Sequence, residues 1–452
     1  MNSYNRKCHV VIVGAGFTGL AAAYEIAREN IAVTVLEKSP DIGGLASSFR
    51  TRGQQLEAFY HHWFKSDRHV MDLVNSLGCQ SQLLSIPTKT GVCFRNTFFK
   101  LSSPLDVLRF KPLGLLDRVR LGLMVLKGRR VKDWRRLESV TAQEWIPKLC
   151  GRKVYEVVWA PLLRGKFGPF AQTVSAVWFW NKLLLRGGSR DRAGNEVLIY
   201  YRGGFAALLE KIAHEITSLG GTIKLQEPAE KLIVQNGCVR AVQTPQGLIE
   251  ADAVIATPAL PVIADLLEGN ASEEYLVELR AVKYLANLCL VLELSHRLSD
   301  IYWINVLDPD FPFVGVIEHT NLVPAETYGG SHIVYLSKYL PETAELYRME
   351  ENQIFEFSLP FIERMFPRFD QAWVERYQVF RTPYAQPVVE CNYSRSIPSS
   401  ETPIKGLYIA SMAQIYPEDR GTNYAAREGT RIGRLVTNQI RHNNPTCSRV
   451  EK

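Results

Sequence analysis

His9-Val10-Val11-Ile12-Val13-Gly14-Ala15-Gly16-Phe17-Thr18-Gly19 is the stretch on which the fold of this 452-residue chain turns. The first five residues read as a short buried strand. A helical stretch follows to about Glu29, and Ala32–Leu36 reads as a second strand ending in Glu37. Strand, glycine turn, helix, strand and acid, in that order, are the fingerprint of a dinucleotide-binding βαβ unit. Gly14 allows the tight turn, Gly16 lets backbone approach a pyrophosphate, and Gly19 lets the helix pack closely on the sheet. The helix N-terminus aims N–H groups and a positive dipole end at the phosphates. Glu37 is placed to accept hydrogen bonds from the ribose hydroxyls of an adenosine.

Just past the acid, Ser39-Pro40-Asp41-Ile42-Gly43-Gly44-Leu45 supplies a second glycine pair. An NAD-binding unit usually runs from its acid straight into the next element. The pair resembles instead the diglycine extension of two-dinucleotide-binding-domain flavoproteins, which implies FAD extended along the chain. The plainer alternative is a β-to-α loop with two turn glycines.

The totals set bounds. Hydrophobic residues make up 46% of the chain and charged residues 22%, enough for a large core in two or three units. No run approaches 18 uncharged apolar residues, so no transmembrane helix is expected. The N-terminal apolar stretch contains the glycine turn and runs into Glu25 and Arg28, so it belongs to the fold and not to a signal peptide. The eight cysteines are scattered without a CxxC pair, which argues against a zinc site or a disulfide framework and fits a cytoplasmic setting. No metal is expected.

Net charge is +7, and the excess is partly local. Lys127, Arg129, Arg130, Lys132, Arg135 and Arg136 crowd together, opposed only by Asp133. Before them, residues 105–126 mix leucine and valine with Arg109, Lys111, Arg118 and Arg120. Residues 105–136 therefore read either as a solvated helical face over an apolar core or as a peripheral contact with an anionic membrane. The charge follows no recognisable nucleic-acid-binding fold, so no nucleic acid partner is expected.

Further along, residues 104–202 look largely helical and hold Trp134, Trp145, Trp159, Trp178 and Trp180. Arg202-Gly203-Gly204-Phe205 starts an amphipathic helix to about Ser218, with Leu208, Leu209, Ile212 and Ile216 on one face. A hairpin is expected around Asn236-Gly237, a buried parallel strand over residues 251–258, and a helix over about 343–366. The last block runs from the strand Lys405-Gly406-Leu407-Tyr408-Ile409-Ala410-Ser411 through Asp419-Arg420-Gly421-Thr422-Asn423 into a helix from Tyr424.

Together these blocks resemble the flavin-containing amine oxidase superfamily, with its protoporphyrinogen oxidases and phytoene desaturases. The resemblance rests on VVIVGAGFTGLAAAYEIA, EKSPDIGG, RGGFAALLEKIA, ADAVIATP and GLYIAS…EDRGTNYAAREG. It implies an α/β fold: a Rossmann-like FAD-binding domain, a mixed α+β substrate domain and a helical subdomain. The FAD-binding domain is expected to be discontinuous, from 1–103, 203–270 and 396–452. The helical subdomain takes 104–202 and the substrate domain 271–395. By position, Gly14, Gly16 and Gly19 meet the pyrophosphate, Glu37 the adenosine ribose, and Gly43 and Gly44 the ribityl and flavin side. The resemblance also puts Ala229 at the adenine and Asp419 at the ribityl–pyrophosphate stretch. Asn423 and Tyr424 open a helix aimed at the pyrimidine edge of the flavin. No cysteine lies between Lys405 and Gly429, so a non-covalent FAD is expected.

Phe59-Tyr60-His61-His62-Trp63-Phe64-Lys65-Ser66-Asp67 is dense in aromatics and histidine. His62-x-Phe64-x-Ser66-Asp67 looks like the HxFHTD stretch of UDP-galactopyranose mutases, whose first histidine sits against the flavin; Lys65 replaces the second. This makes His62 the main catalytic candidate, titrating near neutral pH, with His61 secondary and packing as the plainer role. Arg381 and Tyr384, with Gln386, lie where the superfamily often lines its pocket and are further catalytic candidates. Arg164 and Lys166, in a glycine-bearing turn, are candidates for an anionic substrate group; a structural ion pair or a solvated turn is the alternative. The leading expectation is an FAD-dependent oxidoreductase passing a hydride from a small organic substrate to flavin N5, its electron acceptor undefined. A non-redox mutase acting on a sugar nucleotide and a flavin-free escort protein are the alternatives.

Overall fold

The computed structural model describes residues 8–101, 103–186 and 196–443. Its centre is a five-stranded parallel sheet in the order Thr222–Lys224, Ala32–Leu36, His9–Val13, Ala253–Ala256, Leu407–Ile409. Parallel strands are covered on both faces, which explains the unbroken apolar run from Val10 to Val13. Val10 and Ile12 pack toward the helices Phe17–Arg28, Gly204–Ser218 and Thr422–Asn443. Val11 and Val13 face the other way, toward Leu232, Val239 and Val242 of the antiparallel sheet Lys231–Gln235, Cys238–Thr244, Gly247–Glu250.

The terminal helix lies backbone-to-backbone on the first helix. A Cβ on Gly429 would fall 2.3 Å from the Thr18 carbonyl oxygen, and one on Gly433 would fall 2.9 Å from that of Ala22. Arg434 and Glu25 close the exposed end with a 3.0 Å ion pair. The Gly204–Ser218 helix is tied down by Glu57, whose buried carboxylate accepts from the Phe205 N–H at 2.6 Å and the Tyr200 hydroxyl at 2.8 Å.

A second sheet has seven strands in the order Val374–Pro387, Tyr284–Leu294, His332–Leu340, Gly315–Glu318, Trp303–Val306, Thr90–Phe94, Thr97–Lys100. Its back face carries Leu288, Leu290, Val334 and Leu336 against the Glu351–Met365 helix. Its front face carries Asn287, Ser337 and Tyr339 toward the interior. Helices Leu115–Arg129, Ala142–Cys150, Ala160–Phe167 and Ala176–Arg186 form the helical part.

Three local expectations change. Thr90–Lys100, grouped by sequence with the nucleotide unit, joins the seven-stranded sheet, because Val92 pairs in parallel with Asn305. Val197–Tyr201, grouped with the helical residues, is a strand between Trp63–Phe64 and Leu83–Pro87. The helix expected over 343–366 is two, Glu345–Arg348 and Glu351–Met365, because Glu350 starts the second with a capping box to Gln353.

Gly429→Val should therefore cost about 1–3 kcal/mol or more by overpacking the helix crossing, read as a lower thermal midpoint. Gly122 lies in the middle of the Leu115–Arg129 helix, and a Cβ added there would meet no other atom within 4 Å. Gly122→Ala should instead raise stability by about 0.5–1 kcal/mol.

Candidate active site

The glycine turn leaves Val13 with Gly14 at φ +100°, its N–H donating to the Leu36 carbonyl at 2.8 Å. A Cβ there would strike the Thr257 hydroxyl at 2.6 Å. At Gly16 the geometry is opposite: a Cβ would meet only the Gly43 carbonyl, at 3.8 Å. Gly16 also caps its helix without a side-chain hydrogen bond. The mouth of the turn is thus an open cradle at a helix N-terminus, the shape and polarity a pyrophosphate requires. A Cβ on Gly19 would lie 1.9 Å from the Gly14 carbonyl oxygen, so only glycine lets the helix sit this close.

Glu37 is buried at the end of its strand. Its carboxylate accepts from the Ala15 and Ser39 N–H groups, each at 2.9 Å, and so joins the turn to the following loop. The Glu227 N–H donates to the Glu37 carbonyl at 2.9 Å and brings the segment leading to Ala229 beside the acid. Gly43 donates to the Ala15 carbonyl at 2.9 Å, which lays the diglycine along the cradle. These residues fit a dinucleotide extended from Glu37 toward Gly44.

Leu45 borders a cavity of about 360 Å³ lined by residues of the 59–64 segment, the helical part, the front face of the seven-stranded sheet and the 419–422 turn. Asp419 is buried in its wall. Burial opposes ionisation of Asp419, but Lys182, Lys166 and Arg420 outweigh it and hold the carboxyl well below its usual range. Lys182 is directly ion-paired to it. Arg420 donates to the Gln386 side-chain carbonyl at 3.1 Å and to the Tyr339 hydroxyl at 2.6 Å. The Lys166 ammonium lies 4.9 Å from the Tyr339 ring centre and 5.4 Å from that of Trp178. Desolvation brings its pKa down to about 7, with Asp419 resisting and Lys182 and Arg420 assisting.

His61 and His62 both line the cavity. His62 Nδ1 shares a 3.0 Å hydrogen bond with the Tyr302 hydroxyl, and its ring is edged by Phe64 and Trp303. Burial lowers its pKa to about 3, assisted by His61 and Lys182; burial lowers that of His61 to about 4. The expected near-neutral titration of His62 is therefore corrected: against this aromatic wall the imidazole is neutral across the physiological range. Three buried polar atoms on cavity-lining side chains have no hydrogen-bond partner among the described residues: Asn287 Oδ1, Trp159 Nε1 and Trp178 Nε1.

Other candidates lie elsewhere. Arg381 pairs in register with Leu288 on the back face of the sheet and donates to the Met349 carbonyl at 2.5 Å. Its neighbour Thr382 pairs with Asn287 and lines the cavity. The Tyr384 ring packs edge-on against Tyr284 at 5.3 Å, outside the lining. Arg164 is exposed. Asn423 uses its side-chain oxygen to accept from the Val70 N–H at 3.1 Å, and Tyr424 lies under Arg427; Gly421 and Thr422 are the lining residues of that turn. Sequence reasoning passed over Lys182, Arg420, Tyr339 and Asn287. Only Arg420 carried a local signal, since it stands beside Asp419 at the helix entry.

Fold and crevice together define a dinucleotide-binding flavoprotein with a cation-bearing cavity. The sequence profile of the flavin-containing amine oxidoreductases matches residues 17–431, and the chain belongs to that family. Its cofactor is FAD. The chain is 25% identical over 317 residues to a coproporphyrinogen III oxidase from Bacillus subtilis, covering 62% of this chain and 64% of that protein. It is 24% identical over 259 residues to a carotenoid phi-ring synthase from Chlorobaculum tepidum, covering 52% of this chain and 39% of that protein. The chain thus spans less than two thirds of either relative. The solved structure of a reduced UDP-galactopyranose mutase superposes with a TM-score of 0.71 at 14% identity, covering 99% of this chain and all of that one. Among the described residues no helix is long and apolar enough to cross a membrane.

Gly16→Val should give a folded protein that purifies without the yellow flavin band, because the side chain would fill the cradle. Retained colour at wild-type stoichiometry would refute the pyrophosphate placement.

Proposed function

We propose that the chain oxidises an organic substrate bearing an anionic group, passing a hydride to FAD. The observation that carries this is the cation excess on the cavity wall. Lys166, Lys182 and Arg420 converge on one carboxylate, Asp419. Among the described residues Glu196 is the other acid of the lining; it accepts from Thr90 and is not among the groups acting on Lys166. A cationic amine would enter against this field, whereas a carboxylate or phosphate would complete it.

Bound along the Gly14–Glu37–Gly43 cradle, FAD supplies the hydride-accepting centre. The protein's own part is placement and electrostatics. Trp159, Trp178, Phe59 and Leu45 give the cavity apolar walls, which strengthen charge interactions beside them. Lys166 and Arg420 hold the anionic end of the substrate. Asn287, Trp159 and Trp178 add polar side chains to the lining. His62, neutral and fixed by Tyr302, can accept or donate one hydrogen bond without bringing a charge.

The mutase reading has one specific support, His62 on the cavity wall in the same space as Lys166 and Arg420. In that reading these cations hold the diphosphate of a sugar nucleotide.

An anaerobic assay separates the two. Carboxylate-bearing donors, simple diamines and sugar nucleotides are mixed with oxidised and with pre-reduced holoenzyme. Bleaching by an anionic donor supports the oxidoreductase. Turnover of a sugar nucleotide only after pre-reduction replaces it with the mutase, and bleaching by a diamine alone removes the anionic-substrate reading.

Lys166→Met should raise KM roughly 10- to 100-fold, the loss of a charged hydrogen bond. In the wild type, the ammonium is lost as pH rises through about 7. KM should therefore rise with pH across that point, and Lys166→Arg should flatten the profile. His62→Ala should keep FAD and slow turnover by roughly 2- to 10-fold, the loss of one neutral hydrogen bond. It should leave the pH profile unmoved between about pH 5 and 8, because the imidazole does not titrate there.

A further inference from the structure

Seven of the twelve exposed large apolar side chains among the described residues fall between Leu105 and Leu126. They sit on two adjoining helices, Pro104–Arg109 and Leu115–Arg129. Leu105 and Leu108 are exposed on the first. The second exposes Leu115, Leu116, Val119, Leu123 and Leu126, with Leu115 and Leu116 at 72% and 76% accessibility. At 3.6 residues per turn, those five positions share one arc of about 100°. Leu121, Met124 and Gly128 occupy the opposite side and are buried. The helix thus has two apolar stripes, and only one is used by the fold.

Cations border the unused stripe. Arg120 and Lys127 flank it on one edge and Arg129 on the other, all exposed. Arg109, Lys111, Arg130 and Lys132 are exposed close by in the chain. The two helices are held as one unit, because Arg118 donates to the Leu113 carbonyl at 2.7 Å and the Leu108 carbonyl at 2.8 Å. The unit is also anchored to the active site. Trp180 donates from its indole to the Gly128 carbonyl at 3.1 Å, and its helix, Ala176–Arg186, contributes Trp178, Lys182 and Leu183 to the cavity wall.

We propose that this two-helix face docks the enzyme peripherally on an anionic phospholipid surface. Leucines without ring or charge suit the acyl boundary, and long cationic side chains on both borders can reach the headgroups. Charge decides between occupants. A second copy of this chain, paired through the same face, would bring its border cations against their counterparts, whereas an anionic headgroup layer complements them. The docked face is one helix layer from the cavity.

The test is vesicle flotation with the full-length, flavin-loaded protein. Vesicles of phosphatidylcholine alone are compared with vesicles containing phosphatidylglycerol, at low and high salt. Wild type should float with the anionic vesicles and release as salt rises. Leu115→Ser/Leu116→Ser/Leu123→Ser should lower the bound fraction at least tenfold, and Arg129→Glu/Arg130→Glu should lower it with no change to an apolar side chain. Flavin content and thermal midpoint check that each variant is folded. Should the leucine variant not fold, the arginine variant and the lipid comparison still decide. Absence of wild-type flotation, equal flotation with neutral vesicles, or full flotation of both folded variants would overturn the proposal. So would a lipid-free dimer that the leucine changes disperse, which would make the face a self-interface.

Discussion

A buried carboxylate is tolerated only where cations and donors surround it, and Asp419 meets that condition by drawing on three separate parts of the chain. Lys182 reaches it from the helical part, and Asn181 accepts its N–H at 3.2 Å from the same helix. Gln386 approaches at 3.4 Å from the last strand of the seven-stranded sheet. Arg420, on the turn that enters the terminal helix, links back to Tyr339 on another strand of that sheet. Removing Asp419 would leave Lys166, Lys182 and Arg420 to repel one another with no anion among them. The cluster therefore fixes the relative placement of these parts and gives the cavity its sign.

The second constraint is steric. The terminal helix can carry Asp419 to the crevice only because Gly429 and Gly433 let it lie on the first helix with no side chain between. That first helix has in turn been drawn onto the sheet by Gly19. Backbone proximity passes from strand to first helix to terminal helix, and the two ends of the chain become one layer. Electrostatics then locates the cavity at the end of that layer.

Much of this was readable in the sequence because the signals are local. A glycine that must have positive φ, an acid closing a strand, or a glycine beside a helix start marks its position without knowledge of distant residues. The Asn236-Gly237 hairpin and the cradle from Gly14 to Gly44 were legible for that reason. What was not legible depends on pairing. Arg381 and Thr382 are adjacent, yet one faces the back of the sheet and the other the cavity. The choice is set by register against Leu288 and Asn287 and by an irregularity between Leu285 and Asn287. Lys182 looked like an ordinary helical lysine, since its partner lies more than two hundred positions away. Thr90–Lys100 gave no sign that its strand partner would be Trp303–Val306.

Burial also reverses the usual assignment of proton carriers. By composition, histidine is the group that titrates near neutrality. Here desolvation, with His61 and Lys182 assisting, pushes His62 to about 3, while desolvation also brings Lys166 from the alkaline range to about 7. The exchangeable proton of the cavity at neutral pH thus belongs to the lysine, and Asp419 alone supports its charge against Lys182 and Arg420. An anion entering this space adds a second favourable charge and raises the lysine's affinity for its proton. By linkage, ligand binding and proton uptake at Lys166 must then strengthen each other. The neutral histidines contribute no charge of their own to this balance, so the cavity can change its field by one proton without altering its aromatic walls.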